Sequence, residues 1–409
     1  MTLTTASWAL LALWICGHIL LFGILFKRTK HLAVALSVIL LAGVYATKPA
    51  TFDLPRYSVY FETGVAPWIT ATNFKKEGWQ LAELDERERN EYGNFFPHSP
   101  AFNFLFDVAR NVLPHGSYLP RIITERHIAD SLVLLIVISS IVLLLIALAL
   151  IRAPSQETDR TFYPYVLVIG VTLGSLFFFV GSQNALRQFI GTAMGVLAFA
   201  AYVRSKNLLT LIGALTSFLF HPWSPLFLVL GVVTFESRRF FNKILAGKRA
   251  SDFINEYVVA FLLGIGGVVL IKIGIKLGIP YFTTYFHIDT SGETYRTPAL
   301  TKLILFAIML VVTDLIAGTP KVNWYINPIS LRRCFLILLA PMVIFPEIFS
   351  RLMMFYFAIE MIFIAWAMTH ERKRVQLSGC VVFGSYALGL NALNILLDKG
   401  WRELLFYAP

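Results

Sequence analysis

Charge and cysteine are what this chain has least of. Asp, Glu, Lys and Arg together make up 14% of its 409 residues, while 57% are hydrophobic. Soluble domains carry about a quarter charged residues, so the shortage excludes an ordinary soluble fold and points to a polytopic membrane protein. The three cysteines, Cys16, Cys334 and Cys380, lie in or beside apolar runs. None has a CxxC partner or metal-ligand spacing, so no disulfide and no zinc site is expected. No P-loop, GxGxxG, tandem repeat or heptad array is present. Acidic residues are also short, at 24 against 35 Lys and Arg, for a net charge of +11. In a soluble protein that excess would suggest nucleic acid. Here membrane topology explains it, and no nucleic-acid partner is expected.

What the chain has in quantity is apolar runs of membrane-crossing length. Roughly 17–25 such residues span a bilayer as helix. The runs fall at 7–26, 31–47, 129–151, 163–181, 186–203, 207–220, 223–236, 254–278, 300–317, 334–349, 352–369 and 376–396. This predicts an all-α protein of about twelve transmembrane helices. Lys and Arg accumulate in every second gap: Lys27 to Lys30, Arg204 to Lys206, Arg238 to Arg249, Arg332-Arg333 and Arg372 to Arg374. Cationic gaps stay cytoplasmic during insertion, which places both termini outside. The first run has no basic residue before it and a basic cluster after it, the reverse of a signal peptide, so it is expected to remain as a helix. The runs 207–220 and 223–236 are short and meet at His221-Pro222-Trp223, as half-length elements or tilted helices broken at the proline.

The chain thus reads as one transmembrane domain, 1–409, with two notable external gaps. The larger, 48–128, holds a charged stretch from Glu83 to Arg89. Phe102, Leu105, Phe106, Ala109, Val112 and Leu113 then recur at helical spacing, as in an amphipathic helix on the membrane surface or packed within the loop. The shorter gap, 279–299, is rich in Tyr, Thr and Ser, as expected of a lid or an ordinary connection. Gly264, Gly266 and Gly267 fall within a span and read as helix-packing glycines.

The remaining ionisable residues gather in the external gaps, on one side of the membrane. Arg187 lies just inside the start of the fifth span, where an unpaired guanidinium costs about 2.5–3.5 kcal/mol at mid-helix and less near an edge. Arginine grips phosphate in a fixed fork; snorkelling to headgroups is the alternative. Arg351 repeats the situation at the eleventh span, with Glu347 one turn before it as a phosphate-site neighbour or an ion-pair partner. His221 stands where a helix ends outside, as acid, base or phosphate donor, or as a structural histidine at a kink. Lys272 and Lys276 share one helix face and would suit a diphosphate or snorkel. Glu360 lies deep in the eleventh span and requires a neutralising partner that the sequence does not identify. Together these residues suggest a cationic pocket at the outer membrane edge, for an anionic ligand arriving through lipid. No Asp/Glu cluster with His ligands accompanies it, which argues against a metal-dependent mechanism, with Asp53 and Glu62 as the small opening for one.

Four stretches carry a family resemblance: Asp53-Leu54-Pro55-Arg56-Tyr57 through Phe61, Asn184-Ala185-Leu186-Arg187-Gln188, Phe220-His221-Pro222, and Ser350-Arg351-Leu352 leading into Tyr356-Phe357. They resemble the EpsG-type branch of the Wzy polysaccharide polymerases. The family often shows an acidic residue before the amphipathic helix of the first external loop, where this chain has Pro97-His98-Ser99-Pro100. The resemblance implies a GT-C-like integral-membrane glycosyltransferase without cofactor or metal. Glycan would pass from polyprenyl pyrophosphate to a sugar hydroxyl of the next lipid-linked repeat unit, as in O-antigen or exopolysaccharide synthesis. The site would face the periplasm of a cytoplasmic (inner) membrane, among membrane lipids, with a chain-length regulator protein as a partner. Arg187, His221 and Arg351 carry over as catalytic residues. Asp53, Arg56, Tyr57, Lys272, Lys276, Arg296, Glu347 and Tyr356 are the expected substrate-binding residues. An O-antigen ligase would use the same leaving group and arginines. A flippase for lipid-linked oligosaccharide would need cations along its whole path.

Overall fold

The computed structural model describes residues 101–102, 104–105, 108, 130–152, 186–221, 223–244, 249–278, 296–320, 322 and 324–385. No strand occurs among them. The helices, in order, are α1 (Asp130–Ile151), α2 (Leu186–Val203), α3 (Asn207–Phe220), α4 (Pro225–Ile244), α5 (Arg249–Lys276), α6 (Arg296–Ala317), α7 (Pro328–Leu339), α8 (Pro346–Thr369) and α9 (Lys373–Gly384). A 3-10 turn, Ala340–Ile344, separates α7 from α8. The expected spans 7–26, 31–47 and 163–181 lie outside the described residues, as do most of the 48–128 loop, residues 279–295 and the far end of span 376–396. Within the first loop, residues 101–102, 104–105 and 108 are helical, and Phe102 is buried while Phe104 is exposed, in keeping with a two-faced helix.

Among the described residues, four helices contain stretches long and apolar enough to cross a membrane: Leu186–Val203, Tyr257–Lys276, Ala299–Ala317 and Leu352–Thr369. Two of them form the centre. The membrane-length windows of α2 and α8 are 78% and 89% buried, against 28% for α5 and 17% for α6. Helix α2 packs on α1, α3, α4 and α8, and α8 packs on α2, α6, α7 and α9. Composition explains the difference. Helix α2 is built from Gly191, Ala193, Gly195, Ala198, Ala200 and Ala201, small residues that let neighbouring backbones approach when lipid gives apolar contact little advantage. The outward faces of α3, α5 and α6 carry exposed Leu211, Leu215, Phe261, Leu270, Ile308 and Leu315, as expected where lipid tails or further helices cover them.

The glycine cluster in α5 divides by face. A β-carbon on Gly264 would overlap the Leu338 carbonyl, and one on Gly267 would overlap the Met342 side chain, so both admit the α7 connection. Gly266 meets nothing and is not a packing glycine among the described residues.

The expected span 334–349 is not one helix. Pro341 supplies no backbone N–H, so α7 stops at Leu339, and α8 restarts with Pro346 at its first position. The Arg332-Arg333 gap is also corrected. Asn327 caps α7 early, its Oδ1 accepting from the backbone N–H of Ile329 and Ser330 at 3.1 and 3.3 Å. Both arginines therefore stand within the helix, and Arg332 is completely buried. Helix α4 likewise runs on to Ile244, past the expected limit of 236, and α6 begins at Arg296 within the expected 279–299 loop.

Antiparallel succession gives the bundle two ends. Arg187 opens α2 at one, where the end of α3 and the start of α4 meet the first turns of α2. At the other, the Arg204 guanidinium lies 4.1 Å from the Tyr325 ring centre and the Tyr325 N–H donates to Ile151 O. There the Tyr202 hydroxyl also meets Glu236 at 3.0 Å.

Candidate functional site

The Arg187 end is organised by the break between α3 and α4. His221 follows α3 in an extended conformation (φ −157°, ψ 123°), its N–H still donating to Ser217 O. The Ser224 N–H then donates back to His221 O at 3.0 Å, closing a turn that delivers the chain into α4. His221 is buried at 7% exposure, so this break is a packed elbow rather than a solvent loop. The elbow rests on Gly191 of α2. A β-carbon built there would overlap Ser224 Oγ and stand 3.3 Å from His221 Cβ. The Ser217 hydroxyl donates to Gly191 O at 2.7 Å, and that contact is buried. Arg187 precedes Gly191 by about one turn, roughly 6 Å along the axis, on the same face of α2. Its side chain is half-buried. The structure therefore brings Arg187 and His221 to one place.

Helix α8 joins this assembly through aromatic contacts. Phe227, near the start of α4, has its ring 6.1 Å from Phe199 of α2, 5.8 Å from Phe335 of α7 and 6.3 Å from Phe355 of α8. Arg351 stands one turn before Phe355 in α8. The side chains of Arg351, Glu347 and Arg296 lie outside the described residues, although their backbone positions in α8 and α6 are given. Asp53, Arg56 and Tyr57 lie wholly outside them.

The other expected binding residues with described side chains lie on α5 and α8. Lys272 and Lys276 are exposed on α5, whose inward face is carried by Val268 and Ile271. Tyr356 is fully buried with its ring 5.6 Å from Phe306 of α6. Its hydroxyl has no hydrogen-bond partner among the described residues.

Not all the notable charges sit at one end. The partner that Glu360 required is Arg332. Its Nε approaches both Glu360 oxygens at 2.7 Å and its Nη1 donates to the Thr313 hydroxyl at 2.6 Å. The guanidinium also lies 4.4 Å from the Phe363 ring centre, and Asp314 is 3.9 Å away. Arg333 donates to Asp314 at 2.6 Å and to the Tyr257 hydroxyl at 3.3 Å. This ionic cluster ties α5, α6, α7 and α8 together. Sequence reasoning missed it by taking Arg332-Arg333 as loop cations, although Asn327-Pro328 was a readable helix start. It also passed over Gly191 and Gly195, whose four-residue spacing in an apolar run marks a close helix contact.

An all-helical bundle with segments of membrane-crossing length, two polar ends and an arginine beside a buried histidine elbow defines a multi-pass membrane protein. The chain belongs to the EpsG family, whose family model matches residues 117–402. Three of the four stretches that carried the resemblance lie within that match; the one beginning at Asp53 precedes it. Family membership points to a polysaccharide polymerase. No curated protein and no solved structure matches the chain.

Proposed function

We propose that this protein polymerises polyprenyl-diphosphate-linked repeat units at the outer face of the cytoplasmic membrane, within a GT-C-like arrangement of about twelve spans. In this reading the Arg187 end is the outer end and the Arg332 end faces the cytoplasm. A hydroxyl oxygen of the incoming repeat unit attacks the anomeric carbon of the growing glycan. The bond from that carbon to the diphosphate oxygen breaks, and its electron pair leaves with the diphosphate. The hydroxyl proton passes to the His221 imidazole. Arg187 and Arg351 stabilise the charge that develops on the leaving diphosphate, so the step requires no metal ion.

The observation that carries this reading is the seating of the His221 elbow on α2 one turn from Arg187. It supports the reading, because an imidazole and a guanidinium then belong to one packed unit inside the family-matched region. The test is a defined reaction. Purified full-length protein is given lipid-linked repeat unit from its own host, in detergent with EDTA, and products are sized on a gel. A ladder of longer glycans is expected. Transfer to added lipid A core without a ladder would instead indicate a ligase. In His221→Gln, kcat should fall about 100-fold or more, and the acid limb of the pH–rate profile should disappear, because histidine accepts a proton only when neutral. An unchanged profile would remove His221 as the base.

A further inference from the structure

We infer that Gly191 is a positioning residue for the reaction, because it sets how closely the His221 elbow approaches the helix that carries Arg187. The inference rests on the polymerase reading above. At two turns of α2 the elbow comes up against the helix backbone. At Gly191 a β-carbon would overlap Ser224 Oγ and come within 2.9 Å of Ser224 Cβ and 3.3 Å of His221 Cβ. One turn deeper, a β-carbon at Gly195 would stand 2.9 Å from Ser224 O and 3.4 Å from Phe227 Cβ. Two consecutive turns of α2 therefore lack side chains where residues 221–227 cross. The Ser217 hydroxyl, bonded to Gly191 O, fixes the end of α3 to the same turn.

The elbow has nowhere to retreat cheaply. Phe227 is held among Phe199, Phe335 and Phe355. His221 and Ser224 are both buried. Any β-carbon at residue 191 moves the Ser224–His221 turn outward by roughly 1 Å, a displacement that costs on the order of 100-fold when it separates a catalytic group from its target. Ser224 provides a specific remedy. Its hydroxyl has no hydrogen-bond partner among the described residues, so deleting that side chain relieves the overlap without breaking a bond seen there.

The experiment is a cycle of Gly191→Ala, Ser224→Gly and the double variant in the purified full-length protein, with melting temperature and transfer kinetics measured on host lipid-linked repeat unit. Gly191→Ala should lower kcat about 100-fold with KM nearly unchanged, and the double variant should recover most of the loss. In a His221→Gln background, Gly191→Ala should add little further loss, because its effect runs through that imidazole. A fold defect alone would lower activity equally in both backgrounds and would overturn the inference. So would a Gly191→Ala protein with normal kcat, while the wild-type ladder kept the polymerase reading standing. If wild-type protein yields no ladder, the polymerase reading fails and the positioning role falls with it. A recovered melting temperature in the double variant would then record a packing contact only.

Discussion

The side chains described at the two ends of the bundle differ in charge. At the Arg332 end, ions are matched to one another: Arg332 to Glu360, both buried, and half-buried Arg333 to Asp314. Every acidic side chain among those described, Glu236, Asp314, Glu360 and Glu371, lies in that half. At the Arg187 end, the described ionisable groups near the elbow are basic, set against glycine and hydroxyls. A matched buried cluster fixes helices relative to one another. In the proposed reading, the basic groups at the packed elbow meet the diphosphate of the substrate. The comparison teaches that a buried charge in this fold is informative only with its neighbours: Arg332 is more deeply buried than Arg187, yet its neighbours give it structural work.

The largest expected effect would break that comparison at the Arg187 end. Arg187→Ala should reduce transfer by about 100-fold or more while the protein still inserts and melts as wild type does, since one lost stabilising contact to developing charge costs that much. Arg187→Lys should not restore activity, because an ammonium cannot reproduce the planar fork. Arg351→Ala should behave in the same way. Normal turnover in both alanine variants would sink the proposed site.

At the other end the same kind of change should read out as stability. Arg332→Met or Glu360→Leu alone leaves the opposite charge buried, at a cost of about 3–5 kcal/mol. Replacing the pair together removes both desolvation penalties, so the double variant should melt much closer to wild type and retain transfer activity. Thermal unfolding in detergent, followed by the gel assay, separates the two cases. If the double variant folds but does not transfer, the cluster takes part in function and the division between the ends fails.

Much of this layout was legible from residues alone. The bounds 186–203 and 207–220 coincide with α2 and α3, because a small-residue run ended by Arg204-Ser205-Lys206 and a run stopped by His221-Pro222 each carry their own termini. The elbow was legible as a break but not as a packed contact, since burial of His221 depends on which turn of another helix it meets. The Arg332–Glu360 pair was illegible for a different reason. Its members lie 28 residues apart on separate helices, and only the crossing of α7 with α8 brings them together. The charge-alternation rule led reasoning astray at that point, because it treats every cation near a span boundary as a loop residue. Arg332 obeys the rule in sequence and departs from it in depth.

The smallest expected effect sharpens the contrast at the point where the sequence was misread. The Asn327 side chain satisfies two backbone N–H groups at the start of α7, the helix that carries Arg332 and Arg333. Asn327→Ala should cost about 1 kcal/mol, as loss of an N-cap commonly does. Asn327→Asp should hold stability near wild type, because its carboxylate accepts the same bonds and suits the helix start. Neither change alters the residues near the elbow, so kcat at a temperature where both proteins remain folded should match wild type. A fall in kcat for Asn327→Ala without a matching fall in melting temperature would mean that the start of α7 communicates with the elbow, by way of Phe335 and Phe227, and that the two ends do not act independently.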